Sequence, residues 1–265
     1  LHRLALQQVP NLLKQVADSD PVHQIPKELR DQLTPIVCNT LVAACLRVVL
    51  DEIGPYLDSL QQNLERIYAL GTASEKIGSA AGEDVLRASI VLLHATLEDF
   101  LRTLAMNLLP KANEETLNEI SLVGLKGRPK NFGLGKLVHH KGKTVEDVLR
   151  ESVREHLERS NYNSTSEIAN LLEILGFDVS SLNEPFAELE QMIQRRHQIV
   201  HRADRTKSPD SDAFIVQPIN PQDVVRWVGA VCRFIGSTLP DVFLRAVTKE
   251  KLIIAVQDAI RADTN

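Results

Sequence analysis

Residues 83–110 read EDVLRASIVLLHATLEDFLRTLAMNLLP, and the fold is decided here. Val85, Leu86, Ile90, Leu93, Leu97, Leu101, Leu104 and Leu108 recur every three or four residues, which lines them along one side of an α-helix. Pro110 stands just beyond, where a residue without an N–H ends a helix. The spacing predicts a helix over 83–109, the strongest in the chain. Composition agrees. Hydrophobic residues make up 43% of the chain but aromatics only 4%, so the apolar mass is Leu, Val, Ile and Ala. That balance favours helices over a sandwich or barrel, which draws on aromatic and β-branched residues in alternation. The predicted class is all-α.

Upstream, residues 1–17 read as a short helix, and Pro21 and Pro26 interrupt the stretch after it. A long helical pattern runs over 35–70, with Gly54-Pro55 as a kink or break. Within it Leu57, Leu60, Leu64 and Ile67 form a seam; two heptads are too few for a coiled coil, so a packed helical hairpin is expected. Gly71, Gly78 and Gly82 mark a break before the strong helix. Downstream, helical patterns cover 114–122, 145–159, 165–175 with Gly176 as cap, 184–203, 222–236 with Pro221 in its first turn, and 241–262. Phe214-Ile215-Val216 reads as a short extended segment after a polar loop over 204–212. The resulting division is an N-terminal helical region over 1–72, a central domain over 83–240, and a C-terminal helix within 241–265.

The formal net charge of −5 excludes binding of a polyanion by bulk electrostatics, so any nucleic-acid contact needs a local basic patch. Cys38, Cys45 and Cys232 form no C-x-x-C pair, which argues against a disulfide framework and a zinc ribbon and for a reducing, cytoplasmic setting. No apolar run approaches the roughly 18 residues of a membrane span. No basic region precedes an apolar one as in a secretory signal. No metal or cofactor is expected, and no membrane partner.

The helix predicted over 184–203 carries the chemistry. Around Arg196, the residues on the same side are Leu189, Met192, Ile193, Ile199 and Val200, so an obligatory cation lies in an apolar stripe. Two readings are open. Either Arg196 makes a buried ion pair or snorkels to fix packing, or the stripe is not all core and Arg196 faces a cleft or subunit interface that receives an anion. His197 and His201 are four residues apart and share a face at the stripe's edge. An imidazole moves protons near neutral pH. An arginine beside it holds a phosphate and stabilises the charge of a pentavalent transition state. That pair suffices for cleavage of RNA by its own 2′-hydroxyl.

Arg196-His197-Gln198-Ile199-Val200-His201 resembles the R-x(4–6)-H motif of HEPN ribonucleases, including the polar residue after the arginine. The longer run RRHQIVHRAD over 195–204 resembles the RiboL-PSP type of HEPN domain. LLHATLEDFLR over 92–102 resembles that family's first core helix, where an acidic residue supports the motif arginine; by position this is Glu98. The likeness covers about 83–240. Arg87 with His94 and Arg150 with His156 match the bare spacing too, but lack Asn, Asp or His after the arginine.

The resemblance implies a HEPN-like helical bundle extended by the N-terminal helices and the C-terminal helix. It implies a metal-independent endoribonuclease in which His201 is general base or acid, Arg196 binds the scissile phosphate, and His197 orients the site or assists proton transfer. Glu98 would hold Arg196 in place; the other reading of Glu98 is a surface pair with Arg102 or His94. RNA as partner, a homodimer joining two motifs across one cleft, and a toxin or defence role with an antitoxin or regulatory protein are further implications. The rival reading is a non-catalytic HEPN-like module that binds RNA, a nucleotide or a partner protein. A third is a scaffold in which Arg196 only anchors an ion pair.

The loop over 126–143 holds Lys126, Arg128, Lys130, Lys136, Lys141 and Lys143, with His139 and His140 and no acid. It reads either as an RNA path, with Lys126, Arg128, Lys130 and Lys136 as contacts and Phe132 for stacking, or as a solvated loop. Gly133-Leu134-Gly135-Lys136 lacks the earlier glycine and the following Ser or Thr of a phosphate loop. Adjacent His139 and His140 point apart, which makes them a poor metal pair. The sequence contains no G-x-S-x-G, H-E-x-x-H or dinucleotide fingerprint.

Overall fold

The computed structural model describes residues 35–124, 134–208 and 212–246. The helix expected over 1–17, the last part of that over 241–262, and Lys126, Arg128 and Lys130 lie outside the described residues. In chain order the elements are α1 (Pro35–Ile77), α2 (Ser79–Leu108), a 3-10 turn (Leu109–Lys111), α3 (Glu114–Asn118), a 3-10 segment (Leu134–His140), α4 (Val145–Glu158), α5 (Thr165–Ile174), a 3-10 turn (Val179–Leu182), α6 (Asn183–Arg202), β1 (Arg205–Lys207), β2 (Phe214–Val216) and α7 (Pro221–Ala246). The architecture is all-α apart from the ribbon in which β1 pairs antiparallel with β2, Thr206 opposite Ile215. No helix among the described residues is long and apolar enough to cross a membrane. Asn63–Val231 forms one compact unit, and the described residues 35–62 and 232–246 belong to a second.

Helix α2 is the centre of the first unit. Leu86, Ile90, Leu93, Leu97, Leu101 and Leu104 are buried, each leucine removed from water contributing on the order of 1.5–3 kcal/mol. Helices α6 and α4 pack against it. Arg87, Ser89, His94 and Thr96 are also buried on α2, so more than the leucine stripe is covered. Ser89 and Thr96 donate to the carbonyls of Val85 and Leu92. Ends are set locally. Thr144 and Asp147 form a reciprocal capping box on α4. Gly176, at φ +77°, closes α5: its N–H reaches the Glu173 carbonyl while that of Phe177 reaches Leu172.

Three boundaries differ from the sequence reading. Helix α1 runs unbroken through Gly54-Pro55 and Gly71, and Gly78 at φ +60° separates it from α2. Helix α7 runs through Gly236 and Pro240, so the two helices expected over 222–236 and from 241 are one. Helix α3 is shorter, ending at Asn118. In α7 the reason is a stripe that ignores the punctuation: Val224, Val228, Val231, Ile235, Thr238 and Val242 are all buried at helical spacing. Continuous burial outweighs one proline's cost of about 3 kcal/mol. Gly82 is not a break but a close approach. A Cβ there would lie 2.7 Å from the Ser74 carbonyl oxygen. Gly82→Ala is therefore expected to lower stability by about 1–3 kcal/mol, against the roughly 1 kcal/mol alanine gains in an open helix. A rise in the urea midpoint would contradict this.

Candidate active site

Helix α6 carries the motif, and its apolar stripe changes character along its length. Leu189, Met192 and Ile193 are buried, Ile199 is half-buried, and Val200 is 48% exposed. The stripe leaves the core just where Arg196 stands. His197 and His201 are exposed, their ring centroids 4.5 Å apart with planes at 44°, so the two imidazoles share one surface. Arg196 is half-buried. Its Nη1 donates to the Asn163 Oδ1 at 3.4 Å, and its Nε is buried without a partner. No carboxylate pairs with it, and no hydrogen bond joins it to His201, among the described residues.

Glu98 does not reach Arg196. It accepts from Arg102 Nη1 at 3.3 Å, one turn along α2; the local i, i+4 partner wins over the distant one. Arg102 in turn donates through Nη2 to the Ser160 carbonyl and lies over the Tyr162 ring. His94 is 1% exposed and donates from Nε2 to the Tyr162 carbonyl at 3.1 Å. Burial is the main force pushing its pKa down; Glu98 opposes this and Arg196 and Arg102 add to it. A neutral imidazole and an arginine on α2 thus tie down the loop that presents Asn163 to Arg196. The pair with Arg102 is the other reading that the sequence offers for Glu98. In the sequence His94 shows as half of a spacing match with Arg87 and as a possible neighbour of Glu98, not as an anchor for this loop.

A second cluster, not singled out by the sequence, fixes the end of α6. Ala203 and Asp204 both have positive φ, 48° and 58°, and this left-handed step turns the Asp204 side chain inward until it is fully buried. Its Oδ2 accepts from Arg87 Nε at 2.7 Å and from Arg195 Nη2 at 2.8 Å. Both arginines also hold the Gln217 carbonyl, while Gln217 N–H bonds the Asp204 carbonyl. Burial works against the charge on Arg87, but Asp204, Glu83 and Asp84 outweigh it and hold its pKa above the ordinary value. Alanine in the left-handed region costs about 1–2 kcal/mol. Ala203→Gly is accordingly expected to raise stability by about 1 kcal/mol; a fall in the thermal midpoint would contradict it.

Of the basic loop, Lys136 sits on the exposed 3-10 segment with His139, and Lys143 is paired with Glu151. No cluster of three or more His, Cys, Asp or Glu able to hold a metal is present among the described residues.

The family model described as RiboL-PSP-HEPN matches residues 57–239, beginning at Leu57 rather than at Glu83. No curated protein and no solved structure matches the chain.

Proposed function

Starting from a chain that belongs to the RiboL-PSP-HEPN family, we propose that it is an endoribonuclease acting by 2′-hydroxyl transesterification, with Arg196, His197 and His201 as its site. One contrast carries the reading. Arg195 and Arg196 are neighbours on one helix, yet Arg195 is paired with a buried carboxylate and Arg196 with a neutral amide. A half-buried guanidinium kept without a counter-charge is expensive as structure and useful as an anion site.

In the proposed reaction the scissile phosphate sits on Arg196. An imidazole at His201 accepts the 2′-hydroxyl proton as that oxygen attacks phosphorus; the P–O5′ bond breaks and the 5′-oxygen leaves with a proton. The products are a 2′,3′-cyclic phosphate and a 5′-hydroxyl. His197, one turn away with its ring tilted against that of His201, orients His201 or supplies the second proton transfer. A second copy of the chain covering Val200 and the exposed Phe214, Ile215 and Val216 would place two motifs on one cleft. A toxin or defence role, an antitoxin or regulatory partner, a cytoplasmic setting and an RNA path over Lys126, Arg128, Lys130 and Lys136 complete the proposal. The test is incubation of the purified protein with mixed RNA in EDTA. Fragments ending in 2′,3′-cyclic phosphate are expected. Saturable binding with no cleavage would leave the non-catalytic RNA-binding module.

A further inference from the structure

We infer that the Asn163 carboxamide is the second wall of the anion site at Arg196, and that its neutrality is what leaves the guanidinium available to a phosphodiester. The identity of the anion rests on the proposed nuclease function; the two-sided site does not. Asn163 is exposed and accepts from Arg196 through Oδ1. That orientation leaves its Nδ2 with two N–H groups beside the cation, a donor set that complements the non-bridging oxygens of a phosphate.

The wall is held in place from two helices. The Ser160 and Tyr162 carbonyls are taken by Arg102 and His94 of α2. Thr165 donates from both N and Oγ1 to Glu190 of α6, at 3.0 and 2.7 Å. The Asn163 N–H itself is fixed on Glu167 at 2.7 Å, which occupies that acid. Residues 160–166, SNYNSTS, carry no charge at all. One residue along the same helix the opposite choice is made: Asp204 stands against Arg195 and closes it into a structural pair. An aspartate at 163 would repeat that closure at Arg196.

The experiment uses the full chain, a 2′-O-methyl oligoribonucleotide that cannot be cleaved, and fluorescence anisotropy over a range of salt. Asn163→Asp is expected to weaken binding about tenfold or more, as Arg196→Ala does, and to reduce the salt slope by about one phosphate contact. Asn163→Ala is expected to weaken it only about threefold and to keep the slope. Thermal melts of both variants should match the wild type, the side chain being exposed. Asn163→Asp binding within twofold of wild type overturns the inference, as does equal loss in both variants or no saturable binding by the wild type. Wild-type binding that responds to Asn163→Asp, without any cleavage of ordinary RNA, would sink the nuclease reading and leave this one standing.

Discussion

Replacement of His201 by alanine is expected to reduce RNA cleavage by about 10²- to 10⁴-fold, the usual contribution of a positioned acid–base group. The side chain is exposed and near the end of α6, so the change removes no core contact and should leave stability within about 0.5 kcal/mol of wild type. RNA affinity should change far less than the rate, because the anion is held at Arg196 and not at the imidazole. The informative comparison is single-turnover cleavage of a labelled oligoribonucleotide alongside binding of its 2′-O-methyl analogue. Undiminished cleavage by His201→Ala would end the assignment of this histidine. A parallel loss of binding would place it in recognition instead of proton transfer.

The second large effect is on stability. Asp204→Ala is expected to cost about 3–5 kcal/mol, the penalty for stranding buried charge after its partner is removed. The carboxylate has no exposure to solvent and serves two guanidinium groups from α2 and α6. Its removal leaves Arg195 with carbonyl and amide oxygens only, while Arg87 keeps Glu83 and Asp84. Urea denaturation read by circular dichroism gives the number directly. An unchanged midpoint would mean that water replaces the pair at no cost, and the cluster would lose its structural role. Arg196→Ala, by contrast, should leave the midpoint almost untouched, since no ion pair is lost.

The sequence makes some of this plain and hides the rest for identifiable reasons. Helix α2 and the first part of the stripe on α6, Leu189 to Ile193, are readable because local periodicity and burial agree: every leucine from Leu86 to Leu104 in the quoted pattern is buried. The continuity of α7 is obscured because Gly and Pro act locally while burial acts along the helix. In α7 the stripe from Val224 to Val242 outranks Gly236 and Pro240. Chain position offers Glu98 two kinds of partner, Arg196 across the fold or Arg102 on its own helix, and the structure pairs it with Arg102. A residue four positions away on the same helix competes with one that only tertiary structure brings near, and Arg102 stands in the same eleven-residue run. The clamp at Asp204 joins residues 117 positions apart, and no local pattern encodes such a pairing. The one hint is an acid two residues past the last turn of a basic helix end.

Leucine-lined helices are repetitive surfaces, and one can slip along another by a turn, about 5.4 Å, while meeting much the same set of side chains. A lone carboxylate gripped from both sides does not repeat. Any axial slide of α6 along α2 would pull Asp204 away from Arg87, so the pair works as a register pin. It sets the height at which the motif histidines stand above the bundle, which packing of interchangeable aliphatic groups alone would leave undetermined.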